Sequence, residues 1–178
     1  MKERLPVAAM LRGRPLIYAN PGALPRAFRV TRLEPEPPTP EAAHEWLASH
    51  GPSLRTTALL HPAPGASMPD LVDAGPDPSA EARIEAHAAD RVTIRTRGAT
   101  PGVVILMDAF YPGWTATLDG ASVPIHRANR VGRGVVVPAG EHLIEMQYRP
   151  SHWFLCVAAS LLGLAACAAL APRRARQV

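Results

Sequence analysis

Apolar and polar residues alternate in short runs over most of this chain. Arg91-Val92-Thr93-Ile94-Arg95-Thr96-Arg97 has the two-residue period of a half-buried strand, and Ala82, Ile84 and Ala86 repeat it just upstream. Together they predict a hairpin turning near Ala89-Asp90. Val103-Val104-Ile105-Leu106-Met107 is continuously apolar after Pro101-Gly102, the pattern of a strand buried on both faces. Trp114 to Leu118 and Ala121 to Ile125 flank Asp119-Gly120, a pair suited to the positive φ angles of a two-residue hairpin turn. Pro124 has no N–H to donate, which assigns its strand to an edge or a bulge. A last pair of strands is expected from Gly134 to Val137 and from Leu143 to Tyr148, around a turn at Pro138-Ala139-Gly140, with Ile144, Met146 and Tyr148 on one face.

One short helix interrupts the strands. Thr39 is a suitable N-cap, Pro40 fits the first turn, Glu41 complements the helix dipole, Trp46 and Leu47 provide an apolar side, and Gly51 is a stop. The preceding Glu34-Pro35-Glu36-Pro37-Pro38 reads as an extended linker. Residues 61–79 hold five prolines and two glycines and predict a surface crossing between strand groups. About eight short strands with long crossings indicate a mainly β fold, a β-sandwich of jelly-roll type over residues 16–150.

The C-terminus breaks this pattern. Residues 153–171 carry no charge and as a helix would measure about 28 Å, close to the hydrocarbon thickness of a bilayer. They predict a C-terminal transmembrane α-helix over 151–172, with Tyr148 and Trp153 in an interfacial aromatic belt. Arg173, Arg174 and Arg176 form a basic cytoplasmic tail over 173–178. Ala159, Gly163 and Cys167 fall four apart and offer a small-residue face for helix packing, or are ordinary filler in an alanine-rich segment. The expected topology is single-pass in a bacterial cell membrane, body extracytoplasmic and C-terminus cytoplasmic. Residues 1–15 read as an N-terminal remnant or linker, because Arg12 and Arg14 interrupt the short apolar stretch before it resembles a signal peptide. The positive-inside rule then predicts transmembrane segments upstream of this chain, making it the C-terminal fragment of a larger protein.

Composition sharpens the division. The chain of 178 residues is 47% hydrophobic and 5% aromatic, with 20 prolines. That excludes a long helical bundle. Three arginines in the tail supply most of the formal net charge of +4, so the basic balance gives no clustered nucleic-acid surface, and no nucleic-acid partner is expected. Cys156 and Cys167 would lie roughly 16 Å apart on a helix, beyond disulfide reach.

Candidate chemistry is sparse. His44-Glu45 followed by His50 lacks the second histidine of a zinc-protease helix, since Ala48 stands at that position. The remaining histidines show no metal-like spacing. Gly132-Arg133-Gly134 leads into Val135-Val136-Val137 and reads as a bulge or turn, not a phosphate loop. No catalytic residue, cofactor-binding residue or metal ligand is assigned, and no cofactor is expected. Phe110-Tyr111-Pro112-Gly113-Trp114 is the most unusual segment. Tyr111 and Trp114, with Asp108 nearby, are candidate glycan contacts; the alternative is that both rings plug the end of the sandwich. Arg91, Arg95 and Arg97 share one strand face, to meet lipid phosphates or to form a solvated outer face.

Several separated segments resemble a known family. Residues 17–30 carry a tyrosine, Asn20-Pro21 and Leu24-Pro25-Arg26-Ala27-Phe28. Tyr111-Pro112-Gly113-Trp114 is followed by a strand and Asp119-Gly120, then Arg127-Ala128-Asn129, Val137-Pro138-Ala139-Gly140-Glu141-His142 and Tyr148-Arg149-Pro150. In this order they resemble the C-terminal end of YfhO-like bacterial polytopic membrane proteins. Ala19 and residues 130–134 depart from that pattern. The resemblance implies a parent protein of membrane glycosyltransferase type, using lipid-linked sugars to modify cell-envelope polymers, whose catalytic acid belongs to a region this chain does not include.

The sequence therefore predicts a non-catalytic extracytoplasmic accessory domain with a closing membrane helix. Its expected partners are the lipid bilayer, upstream transmembrane helices of the same or a split protein, and a cell-envelope glycan. The rival expectation is an autonomous membrane-anchored carbohydrate-binding module, and a third is a nonfunctional gene remnant.

Overall fold

The computed structural model describes residues 7–11, 14–18, 20, 22–69, 75–150 and 152–170, and for 7–18 and 170 the backbone elements alone. In chain order the elements are β1 (Val7–Leu11), β2 (Arg14–Tyr18), β3 (Ala27–Val30), β4 (Arg32–Pro35), α1 (Pro40–Ser49), a 3₁₀ turn (Gly51–Arg55), β5 (Thr57–His61), β6 (Glu81–His87), β7 (Arg91–Gly98) and β8 (Gly102–Leu106). There follow β9 (Trp114–Leu118), β10 (Ala121–Val123), β11 (His126–Ala128), β12 (Gly132–Val137), β13 (Gly140–Tyr148) and α2 (Trp153–Leu170). β1 and β2 pair with each other. The remaining strands form a five-stranded sheet, β10-β9-β13-β7-β6, and a six-stranded sheet, β3-β8-β12-β11-β5-β4.

The two larger sheets pack face to face. Val92, Ile94, Ala116, Ile144 and Met146 of the first meet Ala27, Val104, Leu106, Val135 and Val137 of the second in one buried cluster. A second cluster, with Phe28, Val30, Ala58, Leu60, Val103, Ile105 and Ala128, covers the opposite face of the six-stranded sheet, where Leu24, Leu33 and Met68 pack on it. β8 is central to both. Its alternate residues enter the two clusters, so all five are buried, which is the physical content of its continuous apolar run.

Arg29 locks the sandwich at one end. Its guanidinium donates to the carbonyl oxygens of Thr100 and, at 2.9 Å, Pro138, joining the β7–β8 and β12–β13 connections. Gly98 and Gly102 leave the space it needs: a Cβ on Gly98 would lie 2.7 Å from Arg29 Cζ, and one on Gly102 would lie 2.6 Å from the carbonyl oxygen of Val30. Asp77 closes the same corner by accepting from the backbone N–H groups of Ala99 and Thr100.

Local expectations held where the chain makes its own contacts. Thr39 caps α1 and accepts from the Ala42 N–H at 3.3 Å. β6 and β7 form the expected antiparallel pair, as do β9 and β10, whose Asp119 and Gly120 have φ angles of 51° and 85°. β10 is an edge strand with Pro124 just beyond it. Arg95 pairs with Glu85 and Glu141, and Arg97 with Glu81, so two of the three arginines on the outer face of β7 sit in ion pairs.

Four expectations are corrected. Glu34 and Pro35 are not linker but the end of the parallel edge strand β4, fixed by pairing with Leu59 and Leu60 of β5. β12 and β13 do not pair with each other: the turn between them carries the chain from one sheet to the other. Gly132-Arg133-Gly134 is strand, not turn. The transmembrane assignment also falls, since among the described residues no helix is long and apolar enough to cross a membrane. The fold is thus mainly β, two facing sheets with a short C-terminal helix, and neither a transmembrane helix nor a single-pass membrane location is retained.

Candidate functional site

The far end of the sandwich from Arg29 gathers residues from five strands or their immediate ends. Arg26 precedes β3, His87 ends β6, Asp108 and Tyr111 lie in the β8–β9 connection, Trp114 starts β9 and Arg133 lies near the start of β12. They converge because the strands are in register: Ala27 and Arg133 both oppose Leu106, while Trp114 opposes Tyr148. Two backbone hydrogen bonds hold the connection, from Met107 N–H to Arg26 O and from Phe110 N–H to Val131 O.

Gly113 shapes the turn into Trp114. Its φ of +103° lies in the region that favours glycine, and a Cβ there would stand 2.6 Å from the Tyr148 ring. The ring of Tyr148 can therefore close on Tyr111 and Trp114, with centroids 5.3 and 5.6 Å away, while Tyr111 and Trp114 meet edge to face at 6.4 Å. Trp114 is half-buried against the sandwich core, whereas Tyr111 remains 43% exposed. Trp114 thus packs against the end of the sandwich, while Tyr111 stays open to solvent.

Polar groups complete the pocket. Arg26 Nε donates to Asp108 Oδ1 at 2.7 Å, and Arg26 Nη2 donates to His87 Nε2 at 2.8 Å. Burial pushes the Asp108 carboxyl up, but its bond to Arg26 and the charges of Arg26 and Arg133 prevail and hold it below the usual carboxylate range. Arg133 is 3% exposed, and its Nε donates to the carbonyl oxygen of Ala109 at 3.1 Å. Its guanidinium carbon is 3.6 Å from the centroid of the Trp114 ring, a cation–π contact. Burial lowers the pKa of Arg133 from its ordinary value. These residues, with Ala88, Ala89, Val92, Met107 and Ala109, line an open cavity of about 400 Å³, a size usual for small-ligand sites.

Asp108, Tyr111 and Trp114 are thus brought together. Arg26, His87 and Arg133 were not singled out from the sequence as site residues. The alternation Arg133, Val135, Val137 was the available signal for Arg133, because it places that arginine on the same strand face as two core valines. Tyr148, expected at a membrane interface, belongs instead to the aromatic cluster. Trp153 is 58% exposed at the start of α2. Ala159, Gly163 and Cys167 are exposed on α2. Arg173, Arg174 and Arg176 lie outside the described residues.

The site offers ring faces, fixed hydrogen-bond donors and one carboxylate. Among the described residues, no group of three or more His, Cys, Asp or Glu side chains is placed to hold a metal ion. No family model, no curated protein and no solved structure matches this chain.

Proposed function

We propose that this chain is a non-catalytic β-sandwich that binds a glycan in the pocket bounded by Tyr111, Trp114 and Asp108, as an accessory domain in glycosyl transfer. One observation carries the reading: residues from both sheets place an exposed tyrosine ring beside a carboxylate and arginine donors in one open cavity. A sugar ring needs that combination, an aromatic face for its C–H surface and polar groups for its hydroxyls. Asp108 and His87 are both engaged by the Arg26 guanidinium, at 2.7 and 2.8 Å, so binding rather than bond cleavage fits the pocket's chemistry. The resemblance to YfhO-like proteins supports the link to glycosyl transfer, with the chemistry performed by another part of the system.

Isothermal titration of the full chain with neutral tetrasaccharides of glucose and of N-acetylglucosamine tests this reading. Saturable binding that Tyr111→Ala weakens about three- to tenfold is expected, the scale of one aromatic contact. Binding indifferent to Tyr111→Ala would contradict it, as would absence of binding to these and to charged tetrasaccharides alike.

A further inference from the structure

The hydrogen-bond inventory of the pocket is incomplete in one respect. Among the described residues, Arg133 Nη1 is buried and has no acceptor, and Trp114 Nε1, in the ring against which that guanidinium lies, is also buried without a partner. Buried donors are normally satisfied, and a buried cation normally has an anion. Arg133 has no carboxylate within ion-pair distance among the described residues. Asp108, the acid in the pocket, is already bound to Arg26 at 2.7 Å. The pocket therefore has two permanent cations, Arg26 and Arg133, to one anion, and the cation with the unfilled donor is the more buried of the two.

We propose that the pocket selects an acidic glycan, whose sugar-ring carboxylate pairs with Arg133 while the ring lies against Tyr111. This rests on the glycan-binding reading above and narrows it to uronate-bearing ligands. The planar guanidinium forms parallel hydrogen bonds to a carboxylate, and the stack on Trp114 with the Nε bond to Ala109 fixes the plane in which those bonds must form. Met107 and Tyr111, 37% and 43% exposed, are the large apolar side chains of the lining open to solvent, and Tyr111 offers its ring to the sugar. A neutral sugar keeps the ring contact and its hydroxyl hydrogen bonds but leaves the excess positive charge unpaired.

The test uses the full chain and matched pairs of ligands: tetragalacturonate and a tetraglucuronate, each against its methyl ester, by isothermal titration calorimetry. The acid should bind at least about tenfold more tightly than its ester, the scale of one charge-assisted pair. Raising salt from 50 to 500 mM should weaken the acid and leave the ester unchanged. Arg133→Gln should bring the acid to the affinity of the ester. Potassium acetate at the same carboxylate concentration should not displace the acid, because acetate lacks the ring. Equal affinities for acid and ester, a salt-insensitive preference, or displacement by acetate would overturn the selectivity for acidic sugars while leaving glycan binding standing. If neither acid nor ester binds, and the neutral tetrasaccharides also fail, glycan binding falls too. The salt series on the unaltered chain decides the question even where Arg133→Gln does not fold.

Discussion

The guanidinium carbon of Arg133 lies 3.6 Å from the centroid of the Trp114 ring. The first residue is in the six-stranded sheet and the second in the five-stranded sheet, so this contact ties the two layers together at the end where the pocket opens. A double-mutant cycle with Trp114→Leu and Arg133→Met should return a coupling of about 1 kcal/mol in urea unfolding. Additive effects would mean that the stack contributes nothing to joining the sheets.

His126 is 2% exposed, and its Nδ1 accepts from the Ala63 N–H at 3.1 Å. Burial lowers its pKa below the ordinary 6.5. Between the folded and unfolded values the unfolded chain binds more protons, so His126 contributes its full stability above about pH 6.5 and loses it as pH falls toward the lowered value. Unfolding free energy measured from pH 8 to pH 5 should decline on the acid side. In His126→Asn, which keeps an acceptor for Ala63 and does not titrate, that decline should be shallower.

Glu36 is buried, its side chain 2% exposed, between Arg127 and Arg130. Arg130 and the preceding Asn129 have φ angles of 72° and 46°, and Asn129 Oδ1 accepts from the Leu59 N–H. Glu36→Ala releases both arginines, which are about one-third exposed and can turn to water. A loss of about 2 kcal/mol in chemical denaturation is therefore expected rather than the larger cost of a sealed, unpaired charge. An unchanged midpoint would show that the loop holds its shape without the carboxylate.

Gly102 and Gly51 make opposite cases. A Cβ on Gly102 meets a backbone oxygen at 2.6 Å, whereas one on Gly51 meets nothing within 4 Å. Gly102→Ala should cost about 1–3 kcal/mol and Gly51→Ala less than about 0.5 kcal/mol, read from urea midpoints. Equal shifts would contradict the tight packing of β3 on β8.

Features decided by neighbours in the chain were legible in the sequence. The Thr39 cap, the Asp119-Gly120 turn and the two-sided burial of β8 each follow from a few adjacent residues. Features decided by distant partners were not. Glu34 and Pro35 look like linker until β5 supplies a parallel strand, and a Pro-Ala-Gly turn serves a hairpin and a sheet change equally well. Arg133 escaped notice because a charged residue between two glycines suggests a surface turn. Its burial depends on Trp114, which approaches from the other sheet. The charge-free run of residues 153–171 suggested a membrane span, whereas among the described residues no helix is long and apolar enough to cross a membrane.

The glycan site is the central claim, and the indole N–H resonances of Trp46, Trp114 and Trp153 test it most directly. Trp46 Nε1 donates to Glu34 Oε2 at 2.8 Å, while Trp114 Nε1 has no partner among the described residues. In a two-dimensional nitrogen–proton spectrum of the labelled chain titrated with oligosaccharide, the Trp114 signal should shift saturably, with the Trp46 signal in place. A Trp114 signal unmoved throughout the titration would contradict the account.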